Sequence, residues 1–135
     1  MESKIIEKYV RDPKGLKKEV DSYKKIIKFP EEKGWDELLP VYHETVIFFF
    51  AILYKYFTFE SIPIFSGGQG LDAWIEHKGK KIHVEFEVLS SEFIRTHSDD
   101  EKKECDLVVC WKDNSRKTHE FWKHIDVFEL SYFWE

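Results

Sequence analysis

The segment from Leu71 to Leu89 alternates between apolar and polar residues with the two-residue period of a β-strand. Within it, Lys78-Gly79-Lys80 has the composition of a tight turn, since glycine adopts a positive φ without steric cost. The second half directs apolar and polar side chains to opposite faces: Ile82, Val84, Phe86 and Val88 against His83, Glu85 and Glu87. The pattern predicts a β-hairpin in which Asp72, at the start of the first strand, approaches Glu85 and Glu87 near the end of the second.

Helical patterns precede this hairpin. Residues 2–11 and 14–28 have the apolar spacing of helices, with Asp12-Pro13 as the break between them. The lysine-rich face of the second helix is either solvated or a phosphate-facing arm. After a linker at residues 29–34, a long helix is predicted from about Asp36 or Val41 to Phe57. Its segment HETVIFFFAILYKYF is apolar nearly all round, which predicts a buried helix.

Further strands flank the hairpin. Residues 61–65 are a predicted strand, followed by a glycine-rich turn at 66–70, and Ser90-Ser91-Glu92-Phe93 is expected to end the second hairpin strand. Residues 94–104 are predicted to form a loop and a short helix. The continuous apolar run from Leu107 to Trp111 is typical of a central strand covered on both faces. A helical turn at 119–124 and a strand at 125–130 complete an α/β fold with a mixed sheet.

Length and composition set the broad class. A chain of 135 residues predicts one compact domain, with residues 1–34 as a helical extension of the domain 35–135. An aromatic content of 17% predicts an aromatic-rich core, and a net charge of −5 gives no global attraction to nucleic acid. Cys105 and Cys110, five apart in a predicted strand, should point to opposite faces and stay reduced.

The same composition gives expectations about location. A charged N-terminus argues against a signal peptide, and the longest apolar run is too short to span a bilayer, so the expected location is the cytoplasm. The scarcity of amide side chains is a compositional hint of a thermophile.

The three carboxylates of Asp72, Glu85 and Glu87 carry the candidate chemistry. Carboxylates gathered in one place repel each other, and a divalent cation is the expected compensation. Hard oxygen ligands favour Mg²⁺ or Mn²⁺, and no organic cofactor is expected. The alternative is an exposed strand face on which Glu85 and Glu87 pair with basic residues across the hairpin.

The order of a buried helix, three antiparallel strands and a crossover to a further strand resembles the PD-(D/E)XK, or restriction-endonuclease-like, superfamily over roughly residues 41–111. The matching residues are Asp72 and the segment Val84-Glu85-Phe86-Glu87. The resemblance implies that Asp72, Glu85 and the backbone carbonyl of Phe86 hold the metal. It also implies that Glu44 matches an acid that some members carry on the first helix. Glu87 stands where the family has a lysine, and a carboxylate can act as a base or ligand but supplies no positive charge.

Glu44 has a second interpretation, since an acid in the first turn of a helix is favoured by the helix dipole. Other polar residues are candidates for nucleic-acid contact: Lys78, Lys80 and Lys81 for the backbone, Ser90 and Ser91 for a phosphate, and His97 for a phosphate or the attacking water. The serines can equally end the strand, and His97 can be a polar loop residue. His77, His83 and His97 match no standard zinc spacing.

Three hypotheses about function follow. The first is a metal-dependent nuclease that hydrolyses DNA, in which Asp72 and Glu85 bind the cation and Glu87 assists. The second is a nuclease-like module without catalysis that binds nucleic acid or protein, as the missing lysine suggests. The third is a protein-interaction domain whose aromatic C-terminus, FELSYFWE, packs against a second copy in a homodimer.

Overall fold

The structure is a computed structural model that describes residues 1–26, 42–66, 72–115 and 120–135. Within these described ranges, the centre is an open mixed sheet of five strands, ordered β1 to β5. Strands β1 (Ile64–Phe65), β2 (Ala73–His77) and β3 (Lys80–Leu89) pair antiparallel. Strands β4 (Leu107–Lys112) and β5 (Asp126–Glu129) continue the sheet parallel to β3. The predicted α/β class with a mixed sheet is confirmed.

The hairpin forms at its predicted position. His77 pairs with Lys80, which leaves Lys78 and Gly79 as the two turn residues. Both have a positive φ, 53° for Lys78 and 76° for Gly79, as a two-residue turn that matches the twist of the strands requires. The conformation is free for glycine and costs about 1 kcal/mol for Lys78. The register pairs Ala73 with Val84, which carries Asp72 to the level of Glu85.

The N-terminal helices α1 (Ser3–Tyr9) and α2 (Pro13–Ile26) are separated at the predicted break. Asp12 Oδ1 accepts a hydrogen bond from the N–H of Gly15 at 3.0 Å, which satisfies a free donor at the start of α2. Ile5 and Leu16 bring both helices into the main core.

Helix α3 (His43–Ile52) is followed by a 3₁₀ turn at Tyr54–Tyr56, so it does not continue to Phe57. Its expected start at residues 36–41, the linker 29–34, most of the glycine-rich turn 66–70 and His119 lie outside the described residues. Phe50 is buried, but Phe48 exposes 60% of its surface. The expectation of burial all round is therefore wrong, because a helix on one face of a sheet buries one side only. None of the described helices has the length and apolar character needed to cross a bilayer.

Two short helices connect β3 to β4. Strand β3 ends at Leu89 and helix α4 (Ser90–Thr96) begins at once, so the prediction that Ser90 to Phe93 end the strand is wrong. Helix α5 (Asp99–Glu104) has a capping box, in which Ser98 Oγ accepts the Glu101 N–H at 3.2 Å and Glu101 Oε1 accepts the Ser98 N–H at 3.0 Å. Together α4 and α5 supply the crossover that two parallel strands need.

Apolar clusters lie on both faces of the sheet. On one face, Phe86 and Val109 belong to a large aromatic cluster that includes residues of α1, α2 and α3. On the other face, Val108 and Cys110 pack with Phe93 of α4. Strand β4 contributes to both clusters, which confirms the prediction that residues 107–111 are covered on both faces.

The two cysteines are buried free thiols, as predicted. The predicted reason, that the two thiols point to opposite faces of one strand, is wrong, because Cys105 precedes β4 and packs with Cys110 in the same apolar cluster.

The aromatic C-terminus also packs internally. Phe133 and Trp134 are buried, and the Trp134 ring lies 4.8 Å from that of Phe49. Much of the segment expected to contact a second copy is therefore part of this chain's own core.

Candidate metal centre

Asp72 and Glu85 meet at the open end of the hairpin. The backbone N–H of Asp72 donates to Glu85 Oε2 at 2.8 Å, and the N–H of Phe86 donates to Asp72 Oδ2 at 3.0 Å. Glu85 is 4% exposed although it lies on a sheet face that the alternation marks as polar. The structure thus brings together two of the predicted acids in a largely buried position.

His43 joins this pair from the first turn of α3. Its Nε2 lies 2.9 Å from Asp72 Oδ2. The neighbouring Glu44 is exposed, at the position where the helix dipole favours an acid. Of the two adjacent residues, the histidine faces the predicted acids and Glu44 belongs to neither group of potential ligands among the described residues.

Glu87 and His97 extend the cluster on the other side of Glu85. His97 follows α4, and its Nε2 lies 3.0 Å from Glu85 Oε1 and 3.5 Å from Glu87 Oε1. The side chain of His97 is 10% exposed and that of Glu87 is 12% exposed. Glu87 is therefore a nearly buried carboxylate beside an imidazole.

The electrostatics of Asp72 and His43 are those of an ion pair. Burial acts to raise the pKa of Asp72, but hydrogen bonds from His43 and from the N–H of Phe86 outweigh it and hold that pKa below its usual value. The hydrogen bond to Asp72 raises the pKa of His43 against the effect of burial, and the charges of Asp72, Glu87 and Glu44 add to it. Each partner favours the charged form of the other.

The pKa values of Glu85 and Glu87 are raised, in contrast to that of Asp72. Burial, followed by the charge of Asp72, raises the pKa of Glu85 to about 9. Burial also raises the pKa of Glu87, although His97 and His43 oppose it. Glu85 therefore holds a proton at neutral pH in the metal-free chain, and a cation bound there would displace that proton.

Among the described residues, two groups of side chains have the spacing of metal ligands, and they share Glu85. One consists of His43, Asp72 and Glu85, the other of Glu85, Glu87 and His97, with the ligand atoms of each group within 4.8 Å of one another. Carboxylate oxygens suit Mg²⁺ and Mn²⁺, while imidazole nitrogens suit the later transition metals. The donors fit a divalent cation.

The lysines predicted to contact nucleic acid lie at the far end of the hairpin. Lys78 occupies the turn, and Lys80 and Lys81 begin β3; all are exposed. Lys80 precedes Glu85 by five residues, or roughly 16 Å along the strand. Lys81 stacks instead on Trp74, with its Nζ 3.1 Å from the ring centroid. These lysines do not enter the carboxylate cluster.

The serines at the start of α4 have structural partners. Ser90 is fully buried, and its hydroxyl contacts Asp113 Oδ1 and Ser115 Oγ, each at 2.8 Å. Ser91 accepts a hydrogen bond from Asn114 Nδ2 at 3.0 Å. Ser90 therefore anchors the loop after β4, and its hydroxyl is not exposed to solvent.

The remaining histidines stand apart from His97. His77 Nε2 lies 3.0 Å from Thr58 Oγ1 and 3.2 Å from the carbonyl of Lys8. His83 Nδ1 lies 3.0 Å from the carbonyl of Glu104. Among the described residues, neither His77 nor His83 belongs to a group of potential ligands.

Sequence reasoning missed His43 and underestimated His97. His43 is 29 residues from Asp72, and no spacing rule connects a helix start to a distant strand. His97 is twelve residues from Glu85, and its position depends on the turn between α4 and α5. The available signal was the Ser98-to-Glu101 capping pattern, which fixes the start of α5 beside it.

Comparison with known proteins adds no family assignment. No protein-family model matches the chain, and neither a curated protein nor a solved structure matches it.

Proposed function

We propose that this protein is a metal-dependent hydrolase that cleaves phosphodiester bonds in DNA. The observation that carries the proposal is the convergence of three predicted acids, Asp72, Glu85 and Glu87, with His43 and His97 at one end of the sheet. Buried carboxylates in such numbers destabilise a fold unless a cation or protons compensate them. A site that retains them is a candidate for chemistry.

The order of elements supports a restriction-endonuclease-like core. Helix α3 is followed by the antiparallel strands β1, β2 and β3, then by the helical crossover of α4 and α5 to the parallel strand β4. Asp72 immediately precedes β2, and Glu85 lies within β3. These are the positions at which the family resemblance puts its metal-binding acids.

In this proposal Asp72, Glu85 and the carbonyl of Phe86 would hold the cation, with His43 as an additional ligand once its imidazole has released its proton. When bound, a divalent cation supplies Lewis-acid polarisation of a phosphoryl oxygen and positive charge against the transition state. Glu87 accepts a proton from the attacking water, because burial moves its pKa toward neutral pH, where a general base is most effective. His97 holds the carboxylate of Glu87 in place.

The direct test is cleavage of double-stranded and single-stranded DNA with Mg²⁺ or Mn²⁺. Loss of a metal ligand removes several kcal/mol of transition-state stabilisation, so Asp72→Ala and Glu85→Ala should lower the rate by at least about 100-fold. Glu76→Gln is the matched control, because Glu76 is an exposed acid on the same hairpin, opposite Lys81. Unchanged rates in both alanine variants would reject the assignment.

A second candidate is a nuclease-like module that binds DNA or protein without catalysis. It is favoured by the carboxylate of Glu87 at the motif lysine's position, and by His43 and His97, whose Nε2 atoms contact Asp72, Glu85 and Glu87. Salt-sensitive DNA binding without cleavage under any divalent cation would support this module. Metal-dependent cleavage that Asp72→Ala abolishes would reject it.

A further inference from the structure

We propose that an open cavity beside the turn between β2 and β3 binds a phosphate group, as inorganic phosphate or as the terminal phosphate of a phosphomonoester. The cavity has a volume of about 430 Å³ and lies at the end of the hairpin away from the carboxylate cluster. Its lining includes four lysines: Lys8, Lys78, Lys80 and Lys123. The cavity shares no residue with the carboxylate cluster, so the phosphate site goes beyond the proposed function and does not depend on it.

Segments that are distant in sequence meet at this cavity. Strands β3, β4 and β5 are parallel, so their first residues lie at one edge of the sheet, next to the hairpin turn. Asp106 and Asp126 form part of the wall at this edge, and the Asp126 N–H donates to the carbonyl of Asp106 at 3.1 Å. The end of α1 closes another side with Lys8 and Tyr9. The volume of the cavity is within the range of pockets that hold small ligands, roughly 300–1,000 Å³.

The lining has a surplus of positive charge in a chain whose net charge is −5. Of the described residues that line the cavity, four are lysines and two are aspartates, which leaves two positive charges when the histidines are neutral. Asp126 is already engaged, because its Oδ2 accepts hydrogen bonds from Lys8 Nζ at 2.7 Å and from the Tyr9 hydroxyl at 2.5 Å. A phosphate group with a charge of about −1.5 to −2 at neutral pH matches this surplus.

Lys78 and Lys80 carry the part of this charge that the fold leaves without a counterion. Neither forms an ion pair with any of the described residues. Lys78 also has a φ of 53°, a conformation that glycine, asparagine and aspartate adopt more readily. The turn therefore presents an ammonium group to the cavity at a position where a lysine is conformationally unfavourable.

The buried histidine in the wall responds to the same charges. His77 is 4% exposed, and its Nε2 lies 3.0 Å from Thr58 Oγ1 and 3.2 Å from the carbonyl of Lys8. Burial lowers the pKa of His77, and the charges of Lys78 and Lys8 lower it further, against the hydrogen bond to the Lys8 carbonyl. The positive potential of the lysines thus extends to the inner wall of the cavity, where an anion would be stabilised.

The shape of the site favours a terminal phosphate over the backbone of a nucleic acid. Lys80 lines the cavity, whereas the next residue, Lys81, lies over the Trp74 ring with its Nζ 3.1 Å from the centroid. The lysines of the cavity therefore converge on a concave site and do not form a line along the surface. A backbone phosphate carries one negative charge, and a terminal phosphate, with nearly two, matches the surplus of the lining better.

The test is titration of inorganic phosphate into the metal-free protein at low salt, followed by NMR of the imidazole resonances. His77 and His124, which line the cavity, should shift saturably. His43 and His97, in the carboxylate cluster, should not shift, and added NaCl should weaken the binding by screening. The absence of a saturable shift at His77 and His124 would overturn the proposal.

Two variants measure the contribution of the hairpin lysines. Lys78→Asn and Lys80→Gln should each weaken phosphate binding by about tenfold or more, because each removes a charge-assisted hydrogen bond. Asparagine tolerates a positive φ, so Lys78→Asn keeps the turn, and thermal unfolding verifies that both variants are folded. Lys81→Gln is the matched control, because it removes an equally exposed charge from a residue that does not line the cavity. Equal weakening in all three variants would indicate a general effect of charge and would overturn the site.

A pair of oligonucleotides identifies the source of the phosphate group. A 5′-phosphorylated single strand that binds more tightly than its 5′-hydroxyl counterpart, and that inorganic phosphate displaces, would assign the site to nucleic-acid ends. Binding of inorganic phosphate without that preference would assign it to free phosphate or a small phosphomonoester. Equal binding of both oligonucleotides that phosphate does not displace would overturn the proposal in favour of backbone contacts. Asp72→Ala should bind phosphate as the wild type does, which separates this site from the proposed metal site.

Discussion

On one face of strand β3, Val84 and Phe86 are fully buried in hydrocarbon, whereas on the opposite face the alternating residues are Glu85, which is 4% exposed, and Glu87, whose side chain is 12% exposed. The backbone, the neighbouring strands and the degree of burial are nearly the same on the two faces. The apolar face gains free energy on folding from each side chain that it removes from water. The acidic face loses free energy for each charge that it removes from water.

The neighbouring strand makes the comparison sharper. Within β4, Val109 pairs with Phe86 on the apolar face, and Val108 pairs with Glu85 on the acidic face. Both valines are fully buried. The sheet therefore offers hydrocarbon surroundings on both sides, and the acids of β3 stand out as residues that the fold alone does not need.

The largest expected effect is on the apolar face. Phe86→Ala should lower the free energy of unfolding by about 3–5 kcal/mol, because a fully buried ring leaves a cavity. The Phe86 ring lies 5.2 Å from that of Phe50 and 6.0 Å from that of Phe65. Urea unfolding measures the change, and Phe48→Ala, with a ring 60% exposed, is the matched control. Equal losses in the two variants would contradict the assignment of Phe86 to the core.

The next effect is the response of the acidic face to a cation. Mn²⁺ at about 100 times its dissociation constant should stabilise the wild type by about 2.7 kcal/mol, because it binds only the folded chain. Glu85→Gln should show little of this gain, and Glu76→Gln should show all of it. Thermal unfolding at matched Mn²⁺ concentrations measures the difference. A gain in Glu85→Gln equal to that of the wild type would place the cation elsewhere.

Local patterns account for what the sequence predicts well. The alternation from Ile82 to Val88 and the Lys78-Gly79 turn fix the hairpin and its register within a few residues. Once that register is set, the approach of Asp72 to Glu85 follows from geometry. The continuous apolar run of β4 likewise predicts that this strand is buried on both faces.

Contacts between distant segments account for what the sequence misses. Ser90 is the first residue of α4, and its hydroxyl contacts residues 113–115 across the fold. Nothing in the local pattern of residues predicts those partners. His43 and His97 reach the acids through the packing of α3 and the turn after α4. The spacing of residues along the chain therefore predicts the cluster of carboxylates but not the two imidazoles that lie beside it.

A smaller effect is the pH dependence that Glu85 imposes on the metal-free protein. The pKa of Glu85 in the folded protein, about 9, lies above the ordinary value of 4.5. The protonated side chain therefore makes its full contribution to the free energy of unfolding below pH 4.5. That contribution is lost as the pH rises toward 9. Glu85→Gln should therefore be the more stable protein at pH 8.5, because its amide carries no charge that folding would remove from water, and it should match the wild type near pH 4. Urea unfolding with a chelator at both pH values measures this, and parallel pH profiles for the two proteins would contradict it.

The smallest effect concerns the pair of His43 and Asp72. Asp72→Asn should lower the pKa of His43, because the hydrogen bond to Asp72 is the largest cause that raises it. Since the pKa of His43 is raised in the folded state, its contact with Asp72 stabilises the fold fully at pH values below the ordinary pKa of histidine. This stabilisation is lost as the pH rises through the pKa of His43 in the folded protein. An NMR titration of the imidazole in the metal-free protein measures the shift.

Glu44→Gln is the control for this titration, because Glu44 acts on His43 only through its charge and is the weakest of the causes. It should lower the pKa of His43 less than Asp72→Asn does. If the two variants gave equal shifts, His43 would be responding to the general acidity of this end of the sheet. A larger shift in Asp72→Asn means that the specific contact between the helix start and the hairpin sets the charge of the imidazole, and that contact is what makes His43 part of the acidic face.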